Sequence, residues 1–261
     1  MFNTTLVINY IKHLAKAKTR HGVHSPFVYK LINEVIYDFK EKPEYKNIEN
    51  LRKRLLTDKR FITITDLGAG SLVNNQRKKQ VKQLAKNALK PKKIAQLLFR
   101  LAKEFKPINI IELGTCLGIT SAYFAAVVPN AKVITLEGCP QTAGIAKENF
   151  ETLGLKNVSI SVGNFDETLP AVIEKELSLD FIFIDGNHRK DATINYFNWC
   201  LPGLNENSVM IFDDIYWSGG MKDAWEMIKS HPQVTVTIDL FWIGLVFFRK
   251  GQAKENFRVR F

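Results

Sequence analysis

The stretch Ile110-Ile111-Glu112-Leu113-Gly114-Thr115-Cys116-Leu117-Gly118-Ile119-Thr120 decides the fold class. A short apolar strand runs into a tight glycine loop and then directly into the start of a helix. Gly114 and Gly118 let the backbone approach a ligand closely, and amides at the following helix N-terminus favour an electronegative or carboxylate group. From residue 108 onward, short and nearly continuous apolar runs alternate with helical patterns, the mark of a parallel sheet covered on both faces. The patterns predict strands at 108–113, 132–137, 157–162, 180–185 and 208–213, with helices near 119–128, 141–153, 167–177, 190–201 and 221–230. Two further strands, 234–240 and 243–249, are joined by a turn at Phe241 and Trp242. The class is doubly wound α/β.

The glycine spacing narrows the ligand. A G-x-G-x-x-G dinucleotide loop would need glycine at 114, 116 and 119, where 116 is Cys and 119 is Ile, and no G-K-[ST] follows. This disfavours NAD and excludes a P-loop. Glu137 ends the second strand, where a ribose would lie, and its two oxygens can accept both ribose hydroxyls. The third strand ends in Gly163-Asn164-Phe165-Asp166, with Asn164 set to bond an adenine amine and Phe165 to cover the ring.

The fourth strand carries Asp185 to its carboxyl edge, followed by Gly186-Asn187-His188, and the fifth delivers Asp213 and Asp214. Like charges gathered at one edge repel, which a divalent cation with oxygen ligands relieves. The alternative is a metal-free edge with Asp213 capping the next turn. Trp217, Phe241 and Trp242 are candidate pocket walls, and His21, His24 and Ser25 precede Pro26 in a polar loop.

Upstream, Phe2, Leu6, Tyr10, Ile11 and Leu14 form one stripe of an amphipathic helix over 2–18, and a second helical pattern covers 27–39. Ile62–Ile64 followed by Asp66-Leu67-Gly68-Ala69-Gly70-Ser71 has the look of a nucleotide loop. It lacks an apolar helix start and reads as a decoy, with 77–105 mostly lysine-rich helix. Residues 1–106 are expected to form a helical, basic cap and 107–261 the ligand-binding domain.

The charge is uneven: residues 1–109 hold 24 Lys and Arg against 8 Asp and Glu, and the remainder 13 against 18. A front of that sign attracts polyanions or anionic substrates, or is a solvated helical face. Apolar runs such as 243–248 fall far short of the ~18 residues that cross a bilayer. Three cysteines, Cys116, Cys139 and Cys200, include no C-x-x-C pair. A cytoplasmic setting is expected.

Together the 112–118 loop, Glu137, the 163–166 turn and the terminal hairpin resemble class I S-adenosylmethionine (SAM)-dependent methyltransferases, over about 140 residues. The resemblance implies a Rossmann-like methyltransferase sheet of seven strands, five parallel plus a C-terminal antiparallel hairpin. It implies SAM as cofactor, held by Glu112, Gly114, Thr115, Gly118, Glu137, Asn164, Phe165 and Asp185. The acid-bearing strand ends look like those of metal-assisted O-methyltransferases acting on catechols and on antibiotic sugars. That likeness implies Mg2+ on Asp185, Asp213 and Asp214, with His188 as proton acceptor beside Asp185 at the reacting centre. The whole chain, including the Arg20–Phe27 and Asp66–Ser71 segments, is similar to a family of bacterial methyltransferases, which supports the class and names no substrate.

The expected reaction is methyl transfer to a hydroxyl of a small or carbohydrate-like acceptor. Two other functions stay open: nucleic-acid methylation, which the basic front favours but for which no Asn-Pro-Pro-Tyr motif or RNA-binding module is present, and a non-catalytic SAM-binding scaffold. The sequence carries no signal for oligomeric state, and a homodimer is among the states it allows.

Overall fold

A computed structural model of the chain describes residues 4–19, 22–65, 76–176 and 178–261. The elements in order are α1 Thr4–Lys16, α2 Pro26–Leu31, α3 Tyr45–Leu55, β1 Phe61–Thr65, β2 Gln76–Gln80, α4 Val81–Ala88, α5 Lys92–Phe105, β3 Asn109–Leu113, α6 Ile119–Val127, β4 Lys132–Glu137, α7 Pro140–Thr152, β5 Val158–Val162, α8 Phe165–Ile173, β6 Phe181–Ile184, α9 Lys190–Cys200, β7 Val209–Asp213, α10 Gly219–Ser230, β8 Val236–Asp239, β9 Ile243–Phe247 and β10 Glu255–Arg258. The chain divides into two compact units, 40–176 and 1–39 with 177–261.

In the 40–176 unit, β3, β4 and β5 lie parallel, with Ile111 opposite Ile134 and Leu136 opposite Ser161. The predicted strands and helices fall on the observed ones to within a few residues. The helices before β3 have a reason to be there: Tyr45 of α3, Phe99 of α5 and Tyr123 of α6 meet edge to face with centroids 4.9–6.0 Å apart. Each ring is 2% exposed or less, and burying a side chain of this size is worth about 1.5–3 kcal/mol.

Residues 45–55 are helical. The region between there and β3 differs from expectation in two ways. Residues 76–80 form a strand antiparallel to β1 instead of the start of a helix. The lysine-rich helix is split into α4 and α5 at Pro91, which has no N–H to continue the ladder. Strand β1 docks on α7, where Thr63 N–H donates to Gln141 and Arg60 pairs with Glu148. The Asp66–Ser71 decoy lies outside the described residues.

In the other unit, β6 and β7 are parallel, β9 runs antiparallel to both β7 and β8, and a further strand, β10, lies parallel to β8. Strand β10 was not expected, because Glu255-Asn256-Phe257-Arg258 has one strongly apolar residue in four. It pairs on its other side with the N-terminal segment: Lys18 N–H donates to Arg258 O and Arg260 N–H to Lys18 O. Gly244 in β9 is required by packing, since a Cβ there would lie 2.6 Å from the Trp225 ring of α10.

Candidate active site

The glycine loop after β3 is built from below. Glu112 is 0% exposed, and its carboxylate accepts from Ser121 Oγ of α6 and from Thr135 Oγ1 of β4, the latter at 2.8 Å. Thr135 Oγ1 is in turn 2.7 Å from Thr115 Oγ1 in the loop. The Glu112 carboxylate thus supports the loop from beneath through Thr135 and Thr115.

Gly114, Cys116 and Gly118 all take left-handed backbone, with φ of 100°, 49° and 77°. At Gly118 the reason for glycine is packing as well as conformation, because an added Cβ would meet Phe150 at 2.6 Å. The loop then closes on Glu137. Cys116 N–H donates to Oε2 at 2.8 Å and Cys139 N–H to Oε1 at 2.9 Å. Burial pushes the Glu137 carboxyl above its ordinary range, against the pull of the Cys139, Cys116 and Gly138 amides. A carboxylate offers about four lone-pair sites, so Glu137 keeps acceptor capacity beyond these amides.

Gly163 N–H donates to Glu137 O at 3.0 Å, which puts the start of α8 next to the end of β4. Asn164 is the N-cap of that helix, accepting from Asp166 N–H at 3.2 Å, and half-buried Phe165 is its first residue. The capping bond engages the Asn164 carbonyl oxygen, so any contact from this residue to a ligand amine would share that oxygen with the helix.

In the other unit, Asp185 follows β6 and Asp213 ends β7, as expected. Asp185, His188 and Asp213 each offer one donor atom, and the three lie within 4.8 Å of one another. His188 Nε2 is 3.7 Å from Asp185 and 3.9 Å from Asp214. The expected trio of Asp185, Asp213 and Asp214 is thus not the one that converges. Asp214 adopts φ 53°, with its N–H donating to Trp242 O, and its carboxylate lies beside His188. Two carboxylates and an imidazole are a donor set that suits a divalent cation.

Of the candidate pocket aromatics, Phe241 is core, 1% exposed and stacked on Tyr216. Trp217 and Trp242 are 55% and 40% exposed. Ser25 caps α2 and accepts from Gln252, while His24 is exposed. His21 lies outside the described residues. Sequence reading passed over Ser121 and Thr135, bonded beneath the glycine loop, and Tyr216 and Asp239, bonded to each other in the other unit. The one available signal was a threonine in the middle of an otherwise apolar strand, Val133-Ile134-Thr135-Leu136.

Glycine loop, strand-end carboxylate and acid-bearing strand ends define the class: a Rossmann-like class I methyltransferase fold, a mixed α/β sheet of more than seven strands with N-terminal helices. Residues 111–215 match the methyltransferase domain family. Beyond that domain match, the chain is similar to O-methyltransferases of the catechol type and spans less than two thirds of the length of the first of them. It is 33% identical over 134 residues to a catechol O-methyltransferase of Niastella koreensis, covering 50% of this chain and 58% of that one. Among solved structures, an O-methyltransferase of Bacillus cereus in complex with SAH is 19% identical with a TM-score of 0.58, covering 81% of this chain and 93% of the other. SAH-bound Podospora anserina PaMTH1 is 16% identical with a TM-score of 0.61, covering 87% and 97%. No helix among the described residues is long and apolar enough to cross a membrane.

Proposed function

We propose that this chain transfers the methyl group of SAM to a hydroxyl of a small acceptor bearing neighbouring hydroxyls, of catechol or carbohydrate-like type. The observation that carries the reading is the convergence of Asp185, His188 and Asp213 at the ends of β6 and β7. The Niastella relative named for catechol methylation supports it.

In this reading the 114–118 amides and Glu137 bind SAM, Glu137 through the ribose hydroxyls. Asp185 and Asp213 hold a divalent cation, which when bound supplies charge that favours the ionised form of the acceptor hydroxyl. His188 takes the hydroxyl proton at Nε2. The hydroxyl oxygen attacks the methyl carbon as the carbon–sulfur bond breaks, and the pair of electrons leaves with sulfur as S-adenosylhomocysteine. Alignment of oxygen, carbon and sulfur is the protein's main contribution to rate.

The test is methyl transfer from labelled SAM to a panel of vicinal diols and catechols, with and without EDTA. Transfer that is lost on chelation and in Asp213→Ala supports the reading. SAM binding with no turnover on any acceptor would instead favour a binding protein. His188→Ala separates the two roles a histidine can have here: as proton acceptor its loss abolishes turnover and leaves Mn2+ affinity intact, whereas as a metal ligand its loss abolishes both.

A further inference from the structure

The acid-bearing loop after β7 does not stand alone. Asp214 N–H donates to Trp242 O at 2.7 Å, and Trp217 N–H donates back to Asp214 O at 2.8 Å. Two residues beyond Asp214, the Tyr216 ring lies flat on Phe241, with centroids 4.9 Å apart and planes 11° apart. The loop therefore rests on the 240–242 turn of the β8–β9 hairpin.

That turn is organised by one buried carboxylate. Asp239, 3% exposed, accepts from Phe241 N–H on Oδ1 at 2.9 Å. Its Oδ2 accepts from Tyr216 Oη at 2.6 Å and from Arg258 Nε at 3.3 Å. Oδ1 also lies 3.2 Å from Nδ1 of His13, which belongs to α1 and is 2% exposed. The other His13 nitrogen is 3.3 Å from Val259 O, and Tyr10, one helical turn earlier, packs edge-on against Phe241 at 4.8 Å.

We infer that α1 serves as a clamp on the acid loop, with His13 and Asp239 as positioning residues for Asp213 and Asp214. The chain of contacts runs His13, Asp239, Tyr216 and then the backbone that presents the two acids. Such groups act by holding ligand-bearing backbone in one posture, and their loss in metal sites typically lowers affinity by about 10–100-fold. A buried carboxylate with this many bonds is costly to disturb, which makes the turn a firm anvil. The inference rests on the reading above that Asp185 and Asp213 hold a divalent cation.

The experiment measures Mn2+ affinity of the full chain by electron paramagnetic resonance, and SAM affinity of the same samples by calorimetry. The expected result is Mn2+ binding weakened about tenfold in His13→Ala and in Tyr216→Phe. SAM affinity stays within about twofold, because the glycine loop and Glu137 belong to other elements. Tyr216→Phe removes only a hydroxyl and keeps the stacked ring, so it reports on the clamp even where His13→Ala unfolds. His13→Gln, which retains a donor toward Asp239, recovers part of the loss. Wild-type Mn2+ affinity in folded Tyr216→Phe overturns the clamp alone. Absence of Mn2+ binding by the wild-type chain overturns the metal reading and the clamp together.

Discussion

Cys116 and Glu137, separated by 21 residues, are joined by a hydrogen bond of 2.8 Å from the Cys116 amide to Glu137 Oε2. The bond fixes the proposed ribose acceptor to the glycine loop, so the two halves of the cofactor site move as one. Glu137→Ala therefore frees the loop as well as removing the acceptor. Charge-assisted hydrogen bonds contribute about 1.5–3 kcal/mol, so SAM affinity measured by calorimetry is expected to fall at least tenfold. NAD is the control and is expected to bind neither protein.

The same carboxyl sets a pH dependence. Burial holds its proton affinity above the ordinary carboxylate range, and only the ionised form accepts from both ribose hydroxyls. SAM affinity should fall as the solution is acidified, beginning on the alkaline side of the usual carboxylate window. In Glu137→Gln that limb should be absent. A titration curve shared by wild type and variant would contradict the assignment.

Thr135→Val keeps the shape of a buried strand residue and removes the hydroxyl that bridges Glu112 and Thr115. Leaving a buried carboxylate short of a donor costs about 1–3 kcal/mol. Urea unfolding should show a loss of that size, and SAM affinity should drop with it because the loop loses its support. Thr135→Ser, which restores the hydroxyl, should recover most of both.

Gly118→Ala introduces two separate faults, a methyl group 2.6 Å from the Phe150 ring and a side chain at φ 77°. Together they are expected to destabilise by about 1–3 kcal/mol. Adding Phe150→Leu should relieve the contact and leave the backbone strain, so the double variant should lie between the single variant and wild type in thermal unfolding.

Asp239 contributes to the acid limb of stability. Burial alone would raise its carboxyl, but the bonds from His13, Tyr216 and the Phe241 amide bring it below the ordinary aspartate value. A group depressed on folding contributes stability that is present above its unfolded pKa and is lost as pH falls through its folded pKa. Asp239→Asn should be less stable at neutral pH and should show a flatter decline below pH 3.8, the ordinary aspartate value, in denaturant titrations.

How much of this could be read in advance depended on where the information lay. The β3–β9 order was legible because hydrophobic period and glycine placement are local signals, and the 112–118 loop, Glu137 and Asp185 stood in a recognisable sequence of strand ends. The β1–β2 hairpin was not legible: Gln76-Arg77-Lys78-Lys79-Gln80 has no alternating apolar face, and Phe61 stands opposite Gln80 across the hairpin. Strand β10 failed for the same reason. Asp214 was read as a third ligand from the resemblance to metal-assisted O-methyltransferases, whereas the imidazole that joins Asp185 and Asp213 is His188, with the Asp214 carboxylate 3.9 Å from it. His13 offered a bland helix histidine to the reader, since its partner Asp239 lies in a distant strand.

That distance bears on how the chain is made. His13 meets Val259 across 246 residues, and at about 5–20 residues per second the helix that carries it waits on the order of 12–50 s for its partners to leave the ribosome. Meanwhile the 40–176 unit has all of its own sequence and can complete its core. During synthesis α1 waits on partners in the last strands, and until they emerge Tyr10 and His13 lack the Phe241 and Asp239 against which they pack.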